Sequence, residues 1–512
     1  MSNPQSSNLF ILIKSLEKSE KRAFKLFISR SGNREEMKII KLFDAIDKQQ
    51  AYDEAEILKK EPDIAKGQLS NLKAHLYQQI LSSLRIIHTT HNPDMQIRKL
   101  LDFTRILYNK GLHMQCLRIL EKARNQAMEA SRFHLYLEVL EFEKVIENQF
   151  ITRSIENRAE LLTEEVKDVL EVVKNTHNYS NLALRMYGIY IKTGHVKNEE
   201  EYLKVKDFFH TYLEKSNLKR TSFSENMYYH IAHAWYYYII QDFIKYYDHS
   251  AKWVELFEKT PGMIDREMTW YLKGLHNLLT ALFITGNYDA FIDVLNHFES
   301  FEKRRYPQLN ENERIRCFIY RYTALINRSF MDGDFEKGVK IVDEIEESLK
   351  TYGFKIDNHR ILLFYYKIGN IYFGNGDFSN ALKYLNKIIN FRDVSLREDL
   401  HVYARILILI IHYEMGDESL LEYQIKSVYR FLGKMNDVNE VHKEIFNFLR
   451  HSGKIYPQNV RNEFKNLMIK FEQLASRPYE KRPFYYLDII AWLQSKIENK
   501  SISEVIKERL NK

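Results

Sequence analysis

Two histidine pairs in the sequence have the spacing of metal ligands on one face of a helix. His88 and His91 stand three residues apart, as do His230 and His233, and residues at this spacing are neighbours on a helix surface. A metal site also needs a third ligand and outer-shell partners that orient the rings, and neither stretch of sequence supplies them. We therefore interpret both pairs as structural features of helices, and we predict no metal ion and no other cofactor.

Catalytic motifs are absent from the sequence. It contains no P-loop, no dinucleotide-binding glycine motif after a strand, no G-x-S-x-G and no H-E-x-x-H. The two cysteines, Cys116 and Cys317, are far apart, and each lies in a helical pattern. This arrangement fits neither a disulfide framework nor a zinc cluster, and it is typical of a reducing compartment. We predict that the protein is not an enzyme.

Three short segments share the order glycine, then Asn or Asp, then an aromatic residue. They are Gly286-Asn287-Tyr288, Gly333-Asp334-Phe335 and Gly376-Asp377-Phe378. Glycine ends a helix readily because it adopts the left-handed conformation without steric cost, and a following Asn or Asp caps the next helix. Each segment therefore predicts a helix, a tight turn and a second helix, with the aromatic residue inserted between the two.

Related turns extend this pattern along the chain. Gly111, Gly194, Gln241-Asp242-Phe243 and Gly416-Asp417 occupy equivalent places, although Gln241 stands where glycine is expected. From Gly194 onward the turns recur every 40 to 47 residues. The first interval is about twice as long, so we expect one further turn, without glycine, near residues 148–154. Helical hairpins that recur at such a period predict an α-solenoid.

Composition supports an all-α fold. The chain has 17 glycines and 8 prolines in 512 residues, too few turn formers for an all-β or Rossmann-type protein. Apolar residues recur three or four positions apart, as in Gln68–Ile87, which is the helical period. The longest aliphatic run, Ile406–Ile411, is far shorter than the roughly 20 residues that span a bilayer, and the first residues lack the basic start of a signal peptide. We expect a cytoplasmic protein without membrane insertion.

The segment 360–393 resembles a tetratricopeptide repeat. Its small, aromatic and turn positions match the motif at Gly369, Tyr372, Gly376, Asp377, Phe378, Ala381 and Leu382. Arg392-Asp393 stands where the motif prefers proline, and the segments 322–345, 276–298 and 101–123 match more loosely. The period also exceeds the 34 residues of that motif. The resemblance implies an all-α, right-handed α-solenoid of helical hairpins.

The first part of the chain has a different pattern. Basic amphipathic helices are expected in residues 8–92, and His91-Asn92-Pro93 interrupts the pattern before the repeats begin. We predict an N-terminal helical bundle in residues 1–92 and a tetratricopeptide-like α-solenoid in residues 93–512. The whole arrangement resembles bacterial tetratricopeptide proteins with an N-terminal helical region, and this resemblance implies no activity.

Aromatic and polar residues recur at fixed distances before the turns. Phe283, Phe330 and Phe373 stand three residues before a turn glycine, and Asn327 and Asn370 stand six residues before one. In the resembling family these positions lie on the first helix of each hairpin and face the binding groove. The resemblance therefore implies that the asparagines hydrogen-bond a peptide backbone or a terminal carboxylate above an apolar floor. The predicted groove residues are Asn327, Asn370, Phe330, Phe373, Tyr366, Phe283, Trp235 and Tyr238.

A second interpretation of the same aromatic series is core packing. Long helices leave gaps between neighbouring repeats, and aromatic side chains at helical spacing fill such gaps. The segment 228–238 is aromatic on all sides of its helix, which fits either burial or an interface. The sequence pattern is compatible with both interpretations.

Basic residues cluster near the N-terminus, although the net charge of the chain is only +7. Acidic residues are interspersed with the cluster, which is typical of a solvated helix face.

Our leading hypothesis is a non-enzymatic scaffold that binds a protein or peptide segment in the concave solenoid surface. The alternatives are a ligand-responsive regulator with the N-terminal bundle as output module, and a nucleic-acid-binding protein. The candidate nucleic-acid contacts are Lys14, Lys18, Lys21, Arg22 and Lys25.

Overall fold

The computed structural model of the chain confirms the all-α prediction. It describes residues 4–29, 34–90, 92–149, 157–214, 219–392, 397–434, 439–451, 456–477 and 479–511. Every regular element in these ranges is a helix. Within the same ranges, no helix combines the length and the apolar character needed to cross a membrane.

The chain divides into two compact units, residues 1–173 and 174–512. The first unit contains one buried cluster between Leu9 and Ile80 and a second between Ile97 and Val169. The predicted division at residue 92 lies between these clusters and stays a prediction. The helices from the N-terminus to the boundary between the two units are α1 (Pro4–Ser15), α2 (Lys18–Ile28), α3 (Arg34–Lys48), α4 (Glu54–Lys60), α5 (Lys66–His88), α6 (Pro93–Asn109), α7 (His113–Glu129), α8 (Phe133–Gln149) and α9 (Arg158–Thr193). This boundary falls within helix α9.

The second unit contains many helical hairpins, which is consistent with a helical-repeat protein. Short 3-10 helices at Tyr306–Gln308 and Gly353–Lys355 separate some of its helices. Its further helices are α10 (Glu199–Leu213), α11 (Phe223–Ile239), α12 (Phe243–Glu258), α13 (Gly262–Arg266), α14 (Met268–Thr285), α15 (Tyr288–Arg305), α16 (Glu311–Asp332), α17 (Phe335–Lys340), α18 (Val342–Tyr352), α19 (Asn358–Gly374), α20 (Phe378–Ile389), α21 (Glu398–Met415), α22 (Glu418–Lys434), α23 (Glu440–His451), α24 (Pro457–Ala475), α25 (Arg482–Tyr486), α26 (Ile489–Glu498) and α27 (Ile502–Leu510).

The predicted turns have the backbone conformation that the sequence indicates. All six turn glycines, from Gly111 to Gly416, have φ between 68° and 77°. Gln241 takes the same left-handed conformation without glycine, with φ of 64°, and its side-chain amide donates to the Val196 carbonyl at 2.9 Å. This hydrogen bond offsets part of the strain of a non-glycine residue in that region.

The residues after the turns cap the following helices as predicted. The side chains of Asn287, Asp334 and Asp377 each accept a hydrogen bond from the backbone N–H three residues later, at 3.3, 3.2 and 3.0 Å respectively. Such caps satisfy backbone donors that have no partner within the helix. The sequence therefore specifies both the end of one helix and the start of the next.

The long interval between Gly111 and Gly194 contains a turn that the sequence pattern missed. Ser131, between α7 and α8, has φ of 55°. The turn expected near residues 148–154 falls largely on residues 150–156, outside the described part of the chain. Ser131 is not glycine, so the glycine pattern does not identify this turn.

Small residues allow the paired helices of the best-matching repeat to approach closely. A Cβ atom at Gly369 would lie 2.9 Å from the Leu385 side chain, and one at Gly374 would lie 2.5 Å from the ring of Phe335. Both distances are shorter than van der Waals contact allows. The aromatic residue of one turn thus packs into a space that a glycine of the next hairpin leaves open.

Candidate binding cavity

A cavity of about 650 Å³ lies within the second unit. One wall is formed by the first helices of successive hairpins, and the other by the C-terminal part of the chain. Residues 484–488 and 502–510 contain the lining residues of this second wall, and we call them the C-terminal wall. The helices of the first wall are α9 from residue 174 onward, α11, α14, α16 and α19.

All eight predicted groove residues line this one cavity. The side chains of Asn327, Asn370, Tyr366 and Phe373 are buried, whereas the other four are half-buried. The full set is Trp235, Tyr238, Phe283, Asn327, Phe330, Tyr366, Asn370 and Phe373. The core-packing and groove interpretations are therefore not exclusive, because the same residues pack against their neighbours and border an internal space.

The cavity wall also uses register positions whose residues, apart from Tyr366, the sequence interpretation did not single out. On α14, α16 and α19 the lining continues ten and thirteen residues before the turn glycine. These positions continue the helical period of three and four residues. Counting back two more helical turns from the predicted positions would have identified them. The residues ten before the glycine are His276, Thr323 and Tyr366, and those thirteen before it are Lys273, Tyr320 and Leu363.

The two predicted asparagines already have partners inside the protein. Asn327 is 3% exposed, and its Oδ1 accepts a hydrogen bond from Lys367 Nζ at 2.6 Å. Asn370 is 8% exposed, and its Nδ2 donates to the Tyr366 carbonyl at 2.8 Å. Each amide thus uses one of its hydrogen-bonding groups within the wall. Asn327 also positions the ammonium group of Lys367, which the sequence pattern did not indicate.

Lys367 brings a positive charge into the aromatic part of the cavity. Its ammonium group lies 5.5 Å from the ring centres of both Phe283 and Phe330, a cation–π arrangement. Burial, with the charge of Arg397 as a smaller cause, lowers the pKa of Lys367 to about 7. A lysine in this setting is easily neutralised unless an anion accompanies it.

Lys273 provides a second cation, and its surroundings are almost entirely aromatic. Its ammonium group lies 5.3 Å from the Tyr187 ring, 5.7 Å from Trp235 and 5.2 Å from Trp270. Burial first, and then the charges of nearby arginines, lower the pKa of Lys273 to about 8. No carboxylate in the described residues lies within ion-pair distance of this group.

Arg360 lies close to the same end of the cavity. Its Nε donates to Asp357 Oδ2 at 2.9 Å, and its guanidinium lies 5.6 Å from the ring centre of Tyr320. Tyr320 stacks on His276 with 4.3 Å between ring centres. Burial, followed by the charges of Arg360, Lys367 and Lys273, lowers the pKa of His276 to about 3, so this ring is neutral at ordinary pH.

The C-terminal wall is hydrogen-bonded to α19 of the first wall and to a buried ion pair at the start of α21. Arg397 donates from Nε and from a terminal nitrogen to the two oxygens of Asp399, at 2.8 and 2.6 Å. The Tyr486 hydroxyl donates to the same carboxylate at 2.5 Å, and the Tyr366 hydroxyl donates to the Tyr486 carbonyl at 3.0 Å. Arg397 is therefore neutralised by its own partner.

The last helix, α27, is attached at a turn glycine. The Ser503 hydroxyl donates to the Gly333 carbonyl at 2.6 Å. A Cβ atom at Gly333 would lie 2.8 Å from the Ser503 carbonyl oxygen. Val505 and Ile506 pack against Phe335 in a small buried cluster. The turn glycine is thus needed both for its backbone conformation and for contact with this helix.

The candidate nucleic-acid residues lie on helices of the first unit, and several already have acidic or carbonyl partners. Lys21 pairs with Asp47 at 2.6 Å, and Lys14 donates to the backbone carbonyl of the same residue at 2.7 Å. Lys25 pairs with Asp44 at 2.6 Å. The remaining two candidates, Lys18 and Arg22, are exposed. Binding of nucleic acid to this surface stays an untested alternative.

The second histidine pair belongs to a packed aromatic cluster. His230 Nδ1 lies 3.1 Å from His249 Nδ1, and the ring of His233 stacks on His249 at 4.6 Å. In the first pair, His88 contacts Glu20 at 3.0 Å, and His91 lies outside the described residues. Across the part of the chain that the structure describes, no group of three His, Cys, Asp or Glu side chains is arranged to hold a metal ion.

Comparison with known proteins gives no independent assignment. No family model matches the chain, and no curated protein matches it by sequence.

Proposed function

We propose that this protein is a non-enzymatic, tetratricopeptide-like binding protein that takes a segment of a partner protein into the cavity of its second unit. The observation that carries the proposal is that all eight predicted groove residues line one cavity, and seven of them stand three or six residues before a turn. Regular stacking of hairpins, as in a solenoid, would bring residues at one register to a common surface, and the shared cavity supports this proposal.

The cavity has the composition of a binding site for a short segment. Its volume of about 650 Å³ lies within the roughly 300–1,000 Å³ of typical ligand pockets, so it admits a few residues rather than a whole helix. Aromatic rings provide contact area with little loss of conformational entropy. The amides of Asn327 and Asn370 lie in the same wall and can contribute hydrogen bonds to a peptide backbone.

The polar groups of the cavity favour binding over catalysis. Among the described lining residues there is neither serine nor cysteine, and the single carboxylate is that of Asp488. Asp488 accepts from the Ala491 backbone N–H at 2.9 Å and from Arg509 at 2.8 Å. It therefore acts as a helix cap and ion-pair partner rather than as a free general base.

A peptide selection tests the proposal. The full-length protein is used to select binders from a library of random dodecapeptides displayed on phage, and selected peptides are measured by fluorescence anisotropy. A Thr280→Phe variant fills the cavity from α14, since Thr280 is half-buried in its wall. A Thr163→Phe variant adds the same ring at an exposed helical position of the first unit.

We expect selected peptides to bind the wild type and Thr163→Phe equally, and Thr280→Phe at least tenfold more weakly. Circular dichroism and the thermal midpoint establish that each variant is folded. If no peptide is selected, or if folded Thr280→Phe binds as well as the wild type, the cavity is not the site of a protein segment.

A further inference from the structure

We propose that the cavity binds an anionic group of its ligand, a carboxylate or a phosphate, through the side chains of Lys273, Arg360 and Lys367. This inference rests on the proposed function in one respect, since it takes the same cavity as the binding site. It adds the chemical class of the ligand: an anion carried on an aromatic or aliphatic body.

The first argument is the absence of a counter-ion for Lys273. In the described residues its ammonium group contacts three aromatic rings but neither a carboxylate nor a hydrogen-bond acceptor. Removal of a charge from water without a partner costs free energy, and cation–π contacts recover only part of that cost. An anion in the cavity would complete the site.

Lys367 repeats this situation on another helix. Its single hydrogen-bond acceptor in the described part of the chain is the neutral amide of Asn327, which leaves its charge uncompensated. The amide fixes the ammonium group at the cavity wall without neutralising it. A positioned cation of this kind is suited to a charge-assisted hydrogen bond with a ligand, which is stronger than one between neutral groups.

Several other lysines in the described residues have half-buried side chains that pair with a carboxylate, unlike these two. Lys73 pairs with Glu54 at 2.9 Å, Lys387 pairs with Glu346 at 3.0 Å, and Lys355 pairs with Glu311. In these three pairs a carboxylate compensates the ammonium group. Lys273 and Lys367, which border the cavity, have no such partner in the described residues.

Electrostatic effects on His276 indicate that the three cations lie in one region of the cavity wall. The charges of Arg360, Lys367 and Lys273 all act on the His276 ring, which stacks on Tyr320 beneath the Arg360 guanidinium. His276 itself is neutral, so it adds a hydrogen-bonding ring without a further charge. The convergence of three cations on one region defines an anion site rather than scattered basic residues.

The remaining charges of the wall do not neutralise this region. Five basic side chains line the cavity against the one carboxylate of Asp488, counted over the described residues. Asp488 already pairs with Arg509, and Arg397 is matched by Asp399. Arg360 has Asp357, whose side chain is 57% exposed and whose attraction is therefore weakened by solvent.

Small probes test the anion site independently of any peptide. We would titrate the full chain with 3-phenylpropanoate and with phenyl phosphate, which carry an anion on an aromatic body, and with the neutral 3-phenylpropanamide. Affinity is measured by isothermal titration calorimetry and confirmed by the shift of the thermal midpoint. The variants are Lys273→Met and Lys367→Met, which keep chain length but lose the charge. Lys252→Met is the matched control, since Lys252 pairs with Asp248 on the surface.

We expect both anions to bind at least tenfold more tightly than the amide, and each cavity variant to lose at least tenfold in affinity for them, while Lys252→Met behaves as the wild type. Lys367→Arg keeps a positive charge and should retain most of the binding that Lys367→Met loses. This comparison separates the effect of charge from an effect on folding. The better of the two anions identifies the preferred group.

Two results would overturn the inference: equal binding of the amide and the anions, or unchanged anion binding in folded Lys273→Met and Lys367→Met. Failure of the proposed function looks different. If the anions bind as expected but the phage library yields no peptide, the anion site stands and the ligand is a small molecule. If peptides bind with no preference for acidic groups, the proposed function stands and the anion site fails.

Discussion

At the scale of single residues, the proposed binding of an anion by the cavity would come at the expense of stability. A half-buried ammonium group such as that of Lys273 is less stable in the folded chain than in water, because burial and the nearby arginines oppose its charge. Residues that serve only the fold are not expected to bear such a cost. The unfavourable charges of Lys273 and Lys367 lie against aromatic rings of the cavity wall.

Replacement of Lys273 by methionine should stabilise the ligand-free protein. The pKa of Lys273 falls from 10.5 to about 8 on folding, so the unfolded chain binds the proton more tightly between these values. Stability of the wild type therefore rises with pH from about 8 to 10.5. Lys273→Met should gain up to about 3 kcal/mol below pH 8, and its thioether also packs on aromatic rings.

The measurement is urea unfolding at pH 7 and pH 10. The stabilisation should be present at pH 7 and should have largely disappeared at pH 10, where the wild-type lysine is mostly neutral. A loss of stability at pH 7 would mean that the ammonium group supports the fold, contrary to the cavity argument.

The histidine cluster should make the second unit sensitive to acid. Burial is the main cause that lowers the pKa of His230 to about 4, of His233 to about 3 and of His249 to about 4. Because the unfolded chain takes up these protons near pH 6.5, stability is lost as the pH falls from 6.5 toward 4. At pH 5 the loss should be about 1–2 kcal/mol for each histidine.

His249→Phe tests this assignment. The phenyl ring keeps the stacking of His249 on His233 and Tyr237 but cannot take up a proton. Urea unfolding of the variant should show a smaller difference between pH 7 and pH 5 than the wild type shows. If the two differences are equal, the acid sensitivity arises elsewhere in the chain.

At the scale of elements, the turn glycines show which contacts are local and which are tertiary. Gly286 and Gly333 have nearly the same φ, 71° and 68°. A Cβ atom at Gly286 would meet nothing within 4 Å, whereas at Gly333 it would meet the backbone of Ser503 at 2.8 Å. The turn pattern predicts the shared conformation, but the second constraint comes from a helix 170 residues away.

The two alanine variants should therefore differ in stability. Gly286→Ala should cost about 1 kcal/mol, the usual cost of placing alanine in the left-handed region. Gly333→Ala should cost at least about 2 kcal/mol, because the clash with Ser503 adds to that strain. Urea unfolding measures both values, and hydrogen exchange in α27 should accelerate only in Gly333→Ala. Equal costs would show that α27 adapts without loss.

Much of the cavity wall could be predicted from the sequence because it depends on helix register. The turn residues set where each helix ends, and counting back by three and four positions gives the lining residues of α14, α16 and α19. On α9 the register differs by one residue, so Tyr187 and Tyr190, seven and four before Gly194, line the cavity instead. Side-chain packing at the cavity wall determines this one-residue change of register, and no local sequence pattern predicts it.

At the scale of the whole molecule, the part of the site that sequence reasoning missed comes from distant segments. The C-terminal wall contacts the first wall through Tyr486 and Tyr366, which are 120 residues apart in the chain. Pairings at this distance depend on the folded shape of all intervening hairpins. The charge imbalance of the cavity was equally hidden, since a net charge of +7 over 512 residues says nothing about where unpaired cations meet.

The C-terminal wall should be necessary for a closed site, and Val505→Asp tests this on the full chain. Val505 is fully buried among Phe335, Ala491 and Ile506, so a carboxylate there should detach α27 from the turn at Gly333. Because α27 has only nine residues, the far-UV circular dichroism should change little. Affinity for 3-phenylpropanoate should fall at least tenfold, since water then enters the cavity and screens its cations.

The matched control is Val145→Asp, which makes the same change at a valine of the first unit that is 40% exposed. It should leave both stability and probe affinity as in the wild type. Unchanged affinity in a Val505→Asp protein whose α27 exchanges hydrogen rapidly would show that the first wall binds the anion unaided. In that case the aromatic and basic positions of α14, α16 and α19 would constitute the whole recognition surface, and the C-terminal segment would serve only to cover it.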